Sequence, residues 1–78
     1  MSNVVLPELA KDVNKATVSF WLVDIGEDIA EGQDLVEMLT DKATFNVPAP
    51  FAGKLTSTAV TEGQEVNVGD VIATIEEA

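Results

Sequence analysis

Hydrophobic residues fall along the chain in short, partly alternating segments rather than in long helical periods. These segments are rich in β-branched residues and are divided by Gly, Pro, Asp and Asn, which is typical of short β-strands joined by turns. The predicted strands cover residues 4–7, 17–24, 35–40, 43–48, 53–60 and 71–76. Residues 8–16 follow a proline and contain few apolar anchors, so we predict a loop with at most one helical turn there. The pattern favours an all-β fold, a flattened barrel or sandwich.

Two stretches of the chain repeat one pattern of glycines and apolar residues. The equivalent positions lie 37 residues apart and are Gly26 with Gly63, Gly32 with Gly69, Leu35 with Ile72, and Met38 with Ile75. Two copies are too few for a solenoid, and they predict one domain, residues 1–78, whose halves are related by an approximate two-fold axis. Within each copy the two glycines, Gly26 and Gly32 in the first and Gly63 and Gly69 in the second, are expected to bracket a turn. The counterpart of Lys42 falls just beyond Ala78, so both termini are expected together at the corner opposite Lys42.

A second, weaker similarity connects the start of the chain with its middle. The Leu-Pro pair at residues 6–7 resembles the Val-Pro pair at residues 47–48, at an offset of 41 rather than 37. This difference of four predicts that the loop over residues 8–16 carries about four extra residues relative to its counterpart near Phe51.

The hairpin around Asp41 and Lys42 has one register that separates apolar from polar side chains. A two-residue turn at these positions creates an apolar face from the pairs Thr40 with Ala43, Met38 with Phe45, and Val36 with Val47. A shift by one residue would place Met38 opposite Thr44 or Asn46, so pattern and turn agree on the tip. Asp41 tolerates turn conformations and can hydrogen-bond its own backbone, which favours a type I or related turn. On structure alone, an exposed lysine there most often serves solubility or discourages edge pairing.

The aromatic residues are expected to have packing roles. Phe45 is predicted to lie in the core beneath the hairpin, and Phe51 to cover one end of the barrel. Phe20 and Trp21 are adjacent on a strand, so one of them should point inward and the other outward.

Length and composition limit what the chain can do. With 78 residues, 46% of them hydrophobic, it can build one small core but no roofed active-site cleft. It has no cysteine, histidine or tyrosine, so the usual general bases and nucleophiles are scarce and we expect no enzymatic activity of its own. The longest apolar run, residues 20–23, is too short to span a membrane, and the first residues lack the charged and apolar regions of a signal peptide, so a cytoplasmic location is expected.

The charge is strongly negative and excludes some partners. Fourteen acidic residues against four lysines give a formal net charge of -10, which disfavours nucleic acid and anionic membranes as partners. The acids are dispersed, so they keep the surface solvated, steer the protein toward basic enzyme surfaces, or do both. They also favour a monomer in isolation. The acids at positions 24, 27, 28 and 31 lack the spacing of a calcium loop, and no metal site is predicted.

The hairpin segment, residues 35–50, resembles the lipoyl domains of the dihydrolipoyl acyltransferase components of 2-oxo acid dehydrogenase complexes. Its centre, Asp41-Lys42-Ala43, matches the lipoylation motif of that family. The resemblance covers nearly the whole chain. Residues 5–9 look like the family's first strand, residues 21–22 like its second, and Gly26 and Gly53 lie sixteen residues before and eleven after Lys42, where family members carry turn glycines.

The resemblance implies a fold and a function. The family fold has two four-stranded antiparallel sheets related by a quasi-two-fold axis, with structural turns expected here at Gly26, Gly32, Gly53, Gly63 and Gly69. Lys42 would carry lipoate as N6-lipoyl-lysine, with Asp41 and Ala43 recognised by the lipoylating enzyme. The domain would act as a swinging-arm carrier without an active site, part of or accessory to an acyltransferase. Its implied partners are a lipoate-protein ligase or lipoyl/octanoyl transferase, a 2-oxo acid decarboxylase, the acyltransferase core and dihydrolipoamide dehydrogenase.

In the family, the loop after the first strand lies near the lipoyl-lysine turn and helps the decarboxylase recognise its carrier. The corresponding residues here are Glu8, Leu9, Ala10, Lys11 and Asp12. Family members often have glycine and acidic residues where this chain has residues 10–16, which leaves the partner's identity open. Both an excised domain and a free-standing carrier agree with the sequence.

Three other kinds of domain share features with this chain. Biotin carriers share the fold, but they typically have methionine on both sides of the modified lysine, where this chain has Asp41 and Ala43. The glycine-cleavage carrier is lipoylated too, but it is longer and has extra helical segments. Unmodified adaptor modules use the same barrel, yet they commonly lose the lysine. The intact motif around Lys42 favours the lipoyl carrier.

Overall fold

The computed structural model describes residues 2–77 and shows eight strands in two four-stranded antiparallel sheets. The strands are β1 (Ser2–Val5), β2 (Lys15–Trp21), β3 (Asp28–Ile29), β4 (Asp34–Leu39), β5 (Thr44–Pro48), β6 (Gly53–Thr58), β7 (Glu65–Asn67) and β8 (Val71–Glu77). One sheet has the order β1-β8-β6-β3 and the other has the order β5-β4-β2-β7. The predicted all-β fold is confirmed. Residues 2–77 contain no helix that could cross a membrane.

The two-fold relation predicted from the repeat is visible in the strand order. The offset of 37 residues converts β2, β3 and β4 into β6, β7 and β8, and β5 takes the place of β1. Under this exchange the order β1-β8-β6-β3 becomes β5-β4-β2-β7. Each short strand therefore lies in the sheet with the longer strands of the other copy of the repeat, β3 with β6 and β8, and β7 with β2 and β4.

The prediction that each glycine pair brackets a turn is wrong, because each pair brackets a strand. Gly26, Gly32, Gly63 and Gly69 each occupy a turn of their own with a positive φ between 84° and 95°, a region that favours glycine. The strands between them, β3 and β7, have only two and three residues. Segments of two or three residues are too short to show an alternation of apolar and polar side chains. The sequence pattern therefore does not predict β3 and β7.

Gly53 does not lie in a turn, contrary to the prediction. It is the first residue of β6, and its neighbour across the sheet is the end of β8. A β-carbon at this position would collide with the backbone oxygen of Glu76 and with Ile75 Cγ2. The glycine is needed for close approach of two backbones rather than for a turn conformation.

The predicted offset of 41 between the first strand and its counterpart is also wrong. Val4 pairs with Ala73, and Val47 pairs with Val36, the residue 37 positions before Ala73. Val4 is therefore equivalent to Val47, and the true offset is 43. The loop after β1 is accordingly six residues longer than its counterpart after β5. The similarity of the two prolines had suggested a register that the sheets do not use.

The predicted loop after β1 contains a tight turn and no helical turn. Val13 N donates to Ala10 O at 3.1 Å, and Asp12 has a φ of 67°. Asp is one of the few non-glycine residues that adopt this region readily. β2 then begins at Lys15, two residues earlier than predicted.

The core lies between the two sheets and is entirely apolar within the described residues. Among its fully buried members are the residues of the internal repeat, Leu35, Met38, Ile72 and Ile75. Burying a side chain of this size contributes about 1.5–3 kcal/mol, so the repeat marks the residues that stabilise each half.

The aromatic side chains only partly follow expectation. Trp21 packs against the core and donates its indole N–H to Val60 O at 3.2 Å, while Phe20 is exposed, as the alternation predicts. Phe51 also packs against the core. Phe45 is only half-buried, so its predicted place in the core is wrong. It lies on β5, an edge strand, just after the turn, where the sandwich ends.

Close to the chain ends, β1 and β8 are paired, and Ser2 Oγ donates to Glu77 Oε1. This pairing lies in the sheet that does not contain the Lys42 hairpin. Met1 and Ala78 themselves lie outside the described residues, so the predicted meeting of the termini stays a prediction.

Candidate functional site

The hairpin between β4 and β5 has the register predicted from the sequence. Glu37 pairs with Asn46, Met38 with Phe45, and Leu39 with Thr44. Thr40 N then donates to Ala43 O at 2.9 Å and closes the end of the ladder. Asp41 and Lys42 are therefore the two turn residues.

The side chain that organises this turn is Thr40, which the sequence analysis did not single out. Its hydroxyl oxygen accepts from Lys42 N at 3.2 Å and from Ala43 N at 3.0 Å, and the hydroxyl donates to Ala43 O at 2.9 Å. The prediction had assigned the local hydrogen bonding to Asp41, but no hydrogen bond of the Asp41 side chain is formed with any residue between 2 and 77. A threonine just before a two-residue turn can accept hydrogen bonds from the turn amides in this way. Its position in the sequence therefore could have indicated this role.

Both central residues of the turn have negative φ. Asp12 is the non-glycine residue with positive φ in the described chain, so Asp41 and Lys42 both have negative φ. This excludes a type I′ turn, which needs positive φ at both central positions, and agrees with the predicted type I family.

Lys42 presents its amine to solvent. Asp41, Lys42, Ala43 and Thr44 are all exposed. Over residues 2–77 the Lys42 ammonium has neither a carboxylate nor a hydrogen-bond acceptor within bonding distance, whereas Lys15 pairs with Glu65 at 3.4 Å. An acyl group could be joined to Nζ of Lys42 without displacing any side chain of the sandwich, so the site fits a covalently attached prosthetic group.

An open groove lies beside the tip and joins it to the end of the first loop. Its lining residues include Asp12 from the loop, Leu39, Thr40 and Asp41 from the hairpin, and Glu65 from β7. Of the five loop residues predicted to recognise a partner, Asp12 is the one that lines this groove.

The other four loop residues are placed differently. Leu9 packs partly against the core, Ala10 is half-buried, and Glu8 and Lys11 are exposed. Recognition by this loop stays a prediction, and the structure brings only its last residue to the hairpin.

Comparison with known proteins agrees with the geometry. The model of the biotin/lipoyl family, described as "Biotin-requiring enzyme", matches residues 2–75. The chain is 41% identical over 71 residues, 91% of its length, to the dihydrolipoyllysine-residue succinyltransferase component of the 2-oxoglutarate dehydrogenase complex of Bartonella vinsonii subsp. berkhoffii. It is 38% identical over 77 residues, 99% of its length, to the dihydrolipoyllysine-residue acetyltransferase component of the pyruvate dehydrogenase complex of Mycoplasma capricolum. The chain spans 17% and 18% of these relatives.

A solved structure shows the same fold. The lipoyl domain of the 2-oxoglutarate dehydrogenase complex from Azotobacter vinelandii superimposes with a TM-score of 0.75 at 23% identity, covering 99% of this chain and 98% of that one. Family model, relatives and fold agree over almost every described residue. The chain therefore belongs to the biotin/lipoyl family, as a lipoyl domain of the kind found in the acyltransferase components of 2-oxo acid dehydrogenase complexes.

Proposed function

We propose that Lys42 carries a lipoyl group in amide linkage, and that the domain moves acyl groups and reducing equivalents among the enzymes of a 2-oxo acid dehydrogenase complex. The observation that supports this most is the solvated Lys42 amine at the centre of a two-residue turn fixed by Thr40. In amide formation the Lys42 nitrogen, once deprotonated, would bond to the carboxyl carbon of ATP-activated lipoate as the bond from that carbon to AMP breaks, and the amide nitrogen carries no positive charge. The formal net charge changes from -10 to -11.

The protein's own contribution is placement. The paired strands β4 and β5 hold the turn at the end of the sandwich, and the Thr40 hydroxyl limits how far Lys42 and Ala43 can move. The attached lipoyl group supplies the acyl-transfer and redox chemistry when it is bound. A carrier with these properties needs no cleft, and a small all-β sandwich is sufficient.

The expected partners follow from this role. An enzyme that attaches lipoate must act on Lys42 first. A 2-oxo acid decarboxylase, an acyltransferase and dihydrolipoamide dehydrogenase would then use the lipoylated domain in turn. The similar proteins of Bartonella vinsonii and Mycoplasma capricolum, which are components of 2-oxoglutarate and pyruvate dehydrogenase complexes, support such an assembly. Reductive acylation of the lipoylated domain by a panel of decarboxylases would identify the 2-oxo acid.

The experiment that tests the attachment site is intact-mass analysis after incubation with lipoate, ATP and a lipoate-protein ligase. We expect the mass to increase by one lipoyl group, and peptide mapping to place it on Lys42. Lys42→Arg should stay unmodified, while Lys54→Arg, the matched control on the other sheet, should be modified like the parent chain. Full modification of Lys42→Arg, or an unchanged mass of the parent chain, would contradict the proposal.

Biotin is the second candidate, because the matched family model covers biotin attachment as well. The residues that flank Lys42 are Asp41 and Ala43, which match the lipoylation motif and not the methionines typical of biotin carriers. Incubation with biotin, ATP and a biotin-protein ligase should leave the chain unable to bind streptavidin. Streptavidin binding that depends on Lys42 would favour biotin instead.

A further inference from the structure

The sheet that carries the Lys42 hairpin has an apolar patch on its outer, solvent-facing side. The patch consists of Phe20, Leu22 and Leu39, which are 42%, 41% and 42% exposed. Single exposed apolar residues are ordinary on protein surfaces. The arrangement and the internal symmetry of these three distinguish them from that background.

Strand register places the three residues side by side. Phe20 on β2 pairs with Glu37 on β4, and Leu39 follows Glu37 by two residues on the same face. Phe20 and Leu39 therefore lie on the same face of neighbouring strands, on either side of the bulge between Val18 and Phe20. Leu22 follows Phe20 by two residues, and its N–H donates to Leu35 O at 2.8 Å, which continues the pairing with β4. The patch thus runs along β2 and reaches the base of the hairpin.

The two-fold symmetry supplies a control within the molecule. The positions equivalent to Phe20, Leu22 and Leu39, 37 residues later, are Ser57, Ala59 and Glu76. The local structure is the same at Phe20 and at Ser57. Both strands have a bulge just before that residue, between Val18 and Phe20 in β2 and between Leu55 and Ser57 in β6. The fold therefore does not require apolar residues at these positions. Only the sheet with the Lys42 hairpin has them.

The surroundings of the patch are acidic. Leu39 lines the groove that also contains Asp12, Asp41 and Glu65, against the single ammonium group of Lys15. Glu37 lies between Phe20 and Leu39. A second copy of this chain would bring another net charge of -10 to the contact, so self-association is disfavoured. The complementary surface is an apolar one flanked by lysine or arginine.

We propose that this patch is the docking surface for the enzyme that attaches lipoate to Lys42, and that it meets an apolar area with a basic rim on that enzyme. The proposal rests on the proposed function. The enzyme must choose Lys42 from four lysines, and the exposed tip offers it only small groups besides the amine. Lys54 lies opposite Glu76 on the other sheet, where the positions equivalent to the patch are Ser57, Ala59 and Glu76; the exposed apolar pair of that sheet, Val5 and Val71, joins β1 to β8 instead. An enzyme that docks on a patch continuous with the Lys42 hairpin would thereby select Lys42.

The test measures the KM of a lipoate-protein ligase for the domain. Phe20→Ser and Leu39→Glu each introduce the residue found at the equivalent position of the other half, so the strands can accommodate them. Burying the exposed part of each side chain against the enzyme would strengthen binding about three- to eightfold. Each variant should therefore raise KM by that factor, while kcat stays the same. Val71→Asp is the matched control, because Val71 is 39% exposed on β8 and its equivalent is Asp34. It should leave KM unchanged.

A second measurement separates docking from chemistry. The Lys42→Arg domain cannot be lipoylated, so it should inhibit lipoylation of the parent chain competitively, and adding Phe20→Ser should weaken that inhibition about three- to eightfold. Equal KM values for all variants that unfold at the parental temperature would overturn the docking surface and leave the function of Lys42 intact. An equal rise of KM with Val71→Asp would also overturn it. A parent chain that is not lipoylated would overturn both proposals.

Discussion

The Thr40 hydroxyl closes the turn that presents Lys42, and Thr40→Val removes the hydroxyl while keeping the β-branched shape. Three hydrogen bonds are lost, two from the amides of Lys42 and Ala43 and one to Ala43 O. All are exposed, so water replaces them, and each contributes near the lower limit of about 0.5 kcal/mol. Because the three share one oxygen, the expected loss of unfolding free energy is about 1 kcal/mol. For a chain of this size that lowers Tm by about 4–8 °C.

Thermal unfolding and amide hydrogen exchange together test this account of the turn. Exchange at Lys42 and Ala43 should accelerate in Thr40→Val, whereas amides of the buried strands should change only by the global loss of stability. Lipoylation should slow, because the amine is held less well at the tip. Thr40→Ser retains the hydroxyl and should remain close to the parent in all three measurements. If Thr40→Val matched the parent in exchange and lipoylation, the hydroxyl would have no role in positioning Lys42.

Three further changes test the sandwich. Gly53→Ala should cost about 1–3 kcal/mol in urea unfolding, because the added methyl group collides with the backbone oxygen of Glu76 as well as with Ile75 Cγ2, and a neutral result would show that β6 and β8 can separate. Trp21→Phe should lower the free energy of unfolding by about 0.5–1.5 kcal/mol through loss of the indole bond to Val60 O, and an unchanged urea midpoint would contradict this. Leu55→Ala should cost about 2–5 kcal/mol because Leu55 is fully buried, and a cost no larger than that of the exposed Val71→Ala would disprove its place in the core.

The sequence was sufficient for the parts of the molecule that repeat or alternate. The 37-residue repeat predicted the two-fold relation, and the apolar positions that it repeats, Leu35, Met38, Ile72 and Ile75, are all buried between the sheets. The register of the Lys42 hairpin followed from one apolar face and a two-residue tip. The repeat and the hairpin register each depend on many side chains at once, so one atypical residue does not change the prediction.

Features that depend on a few atoms were missed. β3 and β7 are too short to show alternation, and the role of Gly53 depends on how closely β8 approaches, which local sequence does not contain. The choice of Thr40 over Asp41 as the hydrogen-bonding side chain depends on the backbone geometry of the turn, which the residue types alone do not give. The prolines at positions 7 and 48 suggested a false equivalence, since pairing across the sheets decides register.

The central claim is that the sandwich positions one amine at one point of the turn, and exchanging two neighbours tests it most directly. The double variant Asp41→Lys with Lys42→Asp keeps the composition, the net charge and an exposed amine at the tip, but moves that amine by one residue. Incubated with lipoate, ATP and a lipoate-protein ligase, and examined by intact-mass analysis, it should remain unmodified while the parent chain gains one lipoyl group. Lipoylation of the exchanged chain at the parental rate would contradict the account.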